Sequence, residues 1–178
     1  DTEKALLDTV RLHKVVDYIL EHFDQKTRRS STYEHSVVTN VAASTRGRAQ
    51  ADAIRESKRV RGFNAIFATA SIDAARSYYT QFKLSQQNLT PDERLKVGTI
   101  FSYGANDSSD DGILDDEAFD TDSLPTDART FLEGAIGDYN EMFGTSYDTS
   151  ADKFGNYYKD VSQRLKNREL DLVIVVNM

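Results

Sequence analysis

Residues 170–176 read Leu-Asp-Leu-Val-Ile-Val-Val, the most apolar and β-branched stretch of the chain. That composition predicts a strand covered on both faces in a parallel sheet, because a half-wet strand alternates apolar with polar residues and this one scarcely does. In open α/β sheets, binding residues gather just beyond the carboxyl ends of such strands, and the chain normally continues there into a loop and a helix. Only Asn177 and Met178 follow. The chain is therefore expected to be a piece of a larger protein.

The rest of the sequence supplies partners for that strand. Leu12, Val15, Val16, Ile19 and Phe23 recur at helical spacing, so the first two dozen residues predict an amphipathic helix. Residues 25–36 read as polar turns, 37–42 as a short β-prone piece, and 49–58, after Gly47, as a short charged helix. Residues 63–68 predict a second strand, with a helix directly behind it. Ser71 is placed to cap that helix, Asp73 sits in its first turn, and Ile72, Ala75, Tyr79 and Phe82 form its inward stripe. A turn around Pro91 leads to a strand at 95–101, completing a βαβ unit of right-handed crossover. Thr126 opens a helix that turns Phe131, Ala135, Ile136, Tyr139, Met142 and Phe143 to one side and ends at Gly144. A further helix over 150–167 turns Phe154, Tyr157, Tyr158, Val161 and Leu165 inward. The predicted class is α/β, a parallel sheet with flanking helices, preceded by an amino-terminal helix.

Charge is distributed unevenly. Of the net −7, residues 26–61 hold nine bases against Glu34, Asp52 and Glu56, a local +6, whereas residues 107–127 hold nine carboxylates and no Lys or Arg. One region is suited to phosphates and the other repels them. The Asp/Ser/Gly-rich stretch 102–125 has little to bury and is expected to be a mobile surface loop.

Several chemistries are disfavoured. There is no cysteine for a disulfide or thiolate site, and His13, His22 and His35 lack ligand spacing. No run approaches a membrane span and no signal-peptide pattern is present, so no membrane partner is expected and the chain is placed in the cytoplasm. Neither a Gly-x-x-x-x-Gly-Lys-Ser/Thr loop nor a Gly-x-Gly-x-x-Gly turn occurs, and no Gly-x-Ser-x-Gly elbow supports a hydrolase triad.

The strand-to-helix junction Thr69-Ala70-Ser71 is the better candidate. Free amides at a helix amino terminus flanked by small residues suit a phosphate, although Ser and Thr at that place are equally ordinary caps. Asn177 and Met178, just past the last strand on the same edge, are suggestive in the same unspecific way. Arg46, Arg48, Arg55, Lys58 and Arg59, with Arg61, either line a nucleic-acid groove or form a solvated face in which Asp52 and Glu56 pair locally.

Residues 62–75 (Gly-Phe-Asn-Ala-Ile-Phe-Ala-Thr-Ala-Ser-Ile-Asp-Ala-Ala), then Tyr78, Tyr79 and Phe82, then Ile100-Phe101-Ser102-Tyr103, and finally 170–178 closely resemble the motor (R, HsdR) subunit of type I restriction enzymes. Asp138-Tyr139-Asn140 and Tyr157-Tyr158-Lys159-Asp160 also look like that family. The resemblance implies a superfamily-two helicase with two RecA-like lobes. Residues 62–178 would form the first part of the second lobe, an incomplete one, and residues 1–61 an amino-terminal helix and basic connecting region. It implicates Thr69, Ala70 and Ser71 in helicase motif IV, gripping the DNA backbone, and puts Asn177 and Met178 at the entrance to motif V. The implied parent is an ATP-dependent translocase and endonuclease acting on double-stranded DNA with methylation and specificity subunits. ATP and magnesium would belong to that parent and to its first lobe; no cofactor is expected for this chain, nor activity on its own. The alternative is an independent doubly wound module, receiver-like or small-ligand-binding. A receiver needs an acceptor Asp at a strand's carboxyl end, where this sequence has Thr69, Ser102 and Asn177. A structural adaptor using the acidic stretch is a third reading.

Overall fold

A computed structural model describes residues 7–45, 52–101 and 124–176. Helix α1, Thr9–Lys26, starts where the Asp8 side chain accepts a hydrogen bond from the Arg11 amide at 3.1 Å, and buries Leu12, Val16 and Phe23 along one stripe. Its end is sealed by the Thr27 hydroxyl, which donates to the Phe23 carbonyl at 2.7 Å. The following turn is stitched to a distant segment. The Gly62 amide donates to the Ser31 carbonyl and the Phe63 amide to the Thr27 carbonyl. Gly62 has φ 63, and a Cβ there would lie 2.8 Å from the Arg29 Cα, so only glycine fits without moving backbone.

Strand β1, Thr32–Val38, pairs antiparallel with β2, Arg55–Arg61, in the register Thr32 to Arg61 through Val38 to Arg55. Of the helix expected at 49–58, residues 49–51 lie outside the described residues and 52–58 hold non-helical chain and β2 instead, while the first strand begins well before residue 37. The physical reason is that the two segments satisfy each other. Ser57 donates to Glu34 at 2.6 Å and Arg59 to Thr32 at 3.2 Å across the ladder, while β2 is exposed at every residue except Val60. A strand wet on both faces shows no apolar alternation to read. The one-turn helix α2, Val41–Ser44, follows β1 where the strand was expected to continue. Asn40 closes the ribbon's end, donating to the Asp52 carbonyl and accepting from the Ile54 amide.

The main sheet has three parallel strands: β3 (Ala65–Thr69), β5 (Leu172–Val176) and β4 (Val97–Ile100), in the order β3-β5-β4. The central position of β5 accounts for its composition. Alternate residues face opposite layers, so Leu172 and Ile174 join Val16, Tyr79 and Phe82 on one side, and Val173 joins Leu132, Phe154 and Val161 on the other. Helices α1 and α3 (Ile72–Ser85) build the first layer and α5 (Ala151–Lys166) the second. Helix α4 (Thr126–Phe143) contributes Ala135 to the first and Leu132, Ile136 and Tyr139 to the second. Gly144, at φ 65, ends α4 in the left-handed conformation as expected. The arrangement is the mixed α/β parallel sheet with flanking helices that the strand pattern implied, and it is consistent with the RecA-like fragment that the resemblance implied. No described helix is long and apolar enough to cross a membrane. Residues 102–123, to which a mobile loop was assigned, lie outside the described residues, while Leu124 is buried just before α4.

Candidate nucleic-acid interface

The β3–α3 junction is formed as its sequence implied. Ser71 is extended (φ −157, ψ 163), and its Oγ accepts from the Ala74 amide at 3.1 Å. The Ala75 amide makes the first helical bond, to the Ser71 carbonyl, which leaves the Ile72 and Asp73 amides without an intrahelical acceptor. Thr69 is buried, and its hydroxyl donates to the Val175 carbonyl at 3.0 Å, fixing the end of β3 to the end of β5. Ala68 and Ala70 are exposed, so no large side chain from either crowds the approach to those amides. Asp73 is also in the first turn. Its carboxylate is bridged by Arg76 at 2.9 Å, which reaches Asp127 at 3.2 Å as well, so the local charge is partly compensated. The site can accept an anion through backbone amides and the helix dipole. It offers no group poised for covalent chemistry.

The basic residues are elsewhere. Arg55, Lys58 and Arg59 are exposed on β2. With strand alternation, Ser57, Arg59 and Arg61 share a face with Thr32, Glu34 and Ser36, while Lys58 shares the other with His35. A helix would have grouped these cations differently. The ribbon is fastened at the amino-terminal end of the main sheet: Asn167, at the cap of α5, accepts from the Val38 amide at 2.9 Å and donates to its carbonyl at 2.7 Å. Tyr33 donates to the Gly62 carbonyl at 2.9 Å, and His35 Nε2 lies 2.7 Å from the Lys166 carbonyl. Thr69 is four residues along β3 from Ala65, about 13 Å at strand rise. The structure therefore does not bring Thr69, Ala70 and Ser71 together with the β2 cations; they occupy opposite ends of the sheet. Arg46, Arg48, Asn177 and Met178 lie outside the described residues.

Residues that sequence reasoning passed over organise this second end. Arg168 has φ 64, and its guanidinium donates to Tyr33 Oη at 3.1 Å and to Asn64 Oδ1, and sits 5.5 Å from the Phe63 ring centre. The available signal was a cationic turn, Lys166-Asn167-Arg168, between a helix and a buried strand.

The family model described as type I restriction enzyme subunit R domain 3 matches residues 61–178. The type I restriction enzyme SauMRSORF196P endonuclease subunit of Staphylococcus aureus strain MRSA252 is 34% identical over 180 residues, covering 100% of this chain and 15% of the relative. The SauCOLORF180P endonuclease subunit of strain COL is 33% identical with the same coverage. The SsaAORF53P endonuclease subunit of Staphylococcus saprophyticus is 37% identical over 87 residues, 49% of this chain and 8% of the relative. The chain spans about 15% of the length of the relatives that match it from end to end. With the family model matching residues 61–178 and a relative 34% identical over the whole chain, the chain belongs to the subunit R family of type I restriction enzymes.

Proposed function

We propose that this chain forms the first part of the second RecA-like motor lobe of an ATP-dependent DNA translocase and endonuclease, and that its β3–α3 junction grips the DNA backbone. The observation that carries the reading is the pair of open amides at Ile72 and Asp73. They follow directly on exposed Ala70 and the Ser71 cap, at the carboxyl edge of a parallel sheet. On this reading residues 62–178 are the lobe and 1–61 lead into it. Arg55, Lys58 and Arg59, with Arg46 and Arg48, add sequence-independent phosphate contacts. The parent acts on double-stranded DNA in the cytoplasm, with a first RecA-like lobe in the same polypeptide and with methylation and specificity subunits. ATP and magnesium are assigned to that parent. The sequence has no glycine loop to cradle a triphosphate, so no step of hydrolysis is given to these residues.

The test is Thr69→Ala with Ser71→Ala in an R subunit of full family length carrying this sequence. Releasing the Ser71 cap and the Thr69 tie that hold the open amides in place is expected to raise the DNA concentration for half-maximal stimulation of ATP hydrolysis about tenfold, the equivalent of roughly 1.4 kcal/mol. An unchanged DNA dependence would reduce both hydroxyls to a helix cap and a strand tie.

A further inference from the structure

We propose a second binding site for duplex DNA, in the groove between the β1–β2 ribbon and the end of α5, at the sheet edge opposite the β3–α3 junction. The groove has a volume of about 470 Å³ and is lined by Arg55, Lys166, Arg168, His35, Asn64 and Gln163 among others, with no carboxylate in its lining. In a chain of net charge −7 with 29 Asp and Glu, a concave surface bearing three permanent cations and no acid selects for anions. Repeated phosphates match such a surface better than a single small anion does, because the cations come from two walls of the groove: Arg55 from β2, and Lys166 and Arg168 from the end of α5 and the turn after it.

These cations are not engaged in offsetting neighbouring acids. That role at the end of α5 belongs to Arg164, which pairs with Asp160 at 2.7 Å and with Glu169. Arg55 and Lys166 are exposed and make no ion pair among the described residues. Arg168 is held rigidly by Tyr33, Asn64 and the Phe63 ring, which use two of the five guanidinium donors. The walls are also fixed relative to one another. His35 meets the Lys166 carbonyl, and Asn167 clamps both backbone groups of Val38, the residue opposite Arg55. The groove walls and Arg168 are thus in place before binding, and only the Arg55 and Lys166 side chains remain to be ordered.

The proposal rests on the reading that this lobe works on DNA, and its test separates the two. In an R subunit of full family length, Arg55→Ala with Lys166→Ala is compared with Ala70→Glu at the junction. The measurement is the salt dependence of binding to a fluorescent 30-base-pair duplex. Loss of two phosphate contacts should lower the slope of log K against log salt by about 1.8 and weaken binding several-fold. Arg55→Lys with Lys166→Arg should retain the parental slope. Both cations are exposed, so the thermal midpoint should not move. Parental slope and affinity in the double alanine variant would overturn the groove assignment. If the junction variant alone loses binding, the groove fails and the junction reading stands; if the groove variant alone does, the reverse holds. Unchanged DNA binding together with lost association to a partner subunit would assign the groove to an acidic protein surface instead.

Discussion

Replacing Asp160 by alanine is expected to destabilise the chain by about 3–5 kcal/mol, a large share of the ~5–15 kcal/mol that holds a domain folded. Asp160 is fully buried on α5, where a carboxylate survives only if its lone pairs are occupied. It accepts from Tyr139 Oη at 2.5 Å, Tyr147 Oη at 2.9 Å and Arg164 Nε at 2.7 Å, joining α4, the segment after Gly144, and α5. Arg164 continues the network to Glu169, which accepts from Asn167 at 2.8 Å, and Asn167 holds the ribbon. Alanine would strand three donors, one of them a guanidinium whose side chain is 13% exposed, in a structure where no buried side-chain polar atom among the described residues lacks a partner. Asp160→Asn keeps an acceptor and the shape, so its cost should be clearly smaller. Urea unfolding of the chain measures both; a loss below about 1 kcal/mol for the alanine variant would show that the network is not a keystone of the second core.

The buried tyrosines, three of them around Asp160 and Tyr79 beside Asp138 in the other core, set the alkaline limit of stability. Burial and the Asp160 charge push the Tyr147 phenol from its usual 10.0 up to about 12, and burial also raises Tyr79, Tyr139 and Tyr157. Below pH 10 these phenols are neutral in both states and do not affect the balance. Above it the unfolded chain releases protons that the native state retains, so stability should fall by about 1.4 kcal/mol per pH unit for each such phenol. Between pH 10 and 11.5 the urea midpoint should drop steeply, and Tyr147→Phe should lessen the drop. A flat profile over that interval would mean the phenols ionise in place.

What was legible in the sequence was whatever depends on local periodicity. The apolar run at 170–176 implied a strand flanked on both sides, and β5 is the central strand. Ser71 and Gly144 were readable as caps because capping is a property of a few adjacent residues. Leu132 was passed over, although it is fully buried and faces the same core as Ile136 and Tyr139. The β1–β2 ribbon was illegible for a different reason. Its stability comes from cross-strand pairs between residues 17 to 29 apart, and a charged, wet strand carries the same composition as a solvated helix. Asp160 was read only as part of a family-like string. Nothing in a polar helix marks which carboxylate is buried, although a Tyr-rich surrounding and Arg164 one turn later were available hints. The candidate site suffered most from this. Which cations share a face, and which end of the sheet they serve, both follow from the ribbon.

The central claim is that the β3–α3 junction meets a phosphate rather than merely ending a strand and starting a helix. Ala70→Glu separates those two roles. Ala70 is exposed and lies outside the left-handed backbone region, so the larger side chain meets no steric barrier there. A carboxylate beside a helix amino terminus is favourable to the dipole by about 0.3–1 kcal/mol, so the fold should be as stable or slightly more so. For DNA the same charge stands where the backbone must approach, and it competes for the open amides. The measurement is the translocation rate along duplex DNA of an R subunit of full family length carrying Ala70→Glu, alongside its thermal midpoint. The expected result is translocation slowed by at least about tenfold, equivalent to roughly 1.4 kcal/mol, with an unchanged or raised midpoint. Translocation at the parental rate with the midpoint intact would contradict the account and leave Thr69, Ala70 and Ser71 as structural residues only.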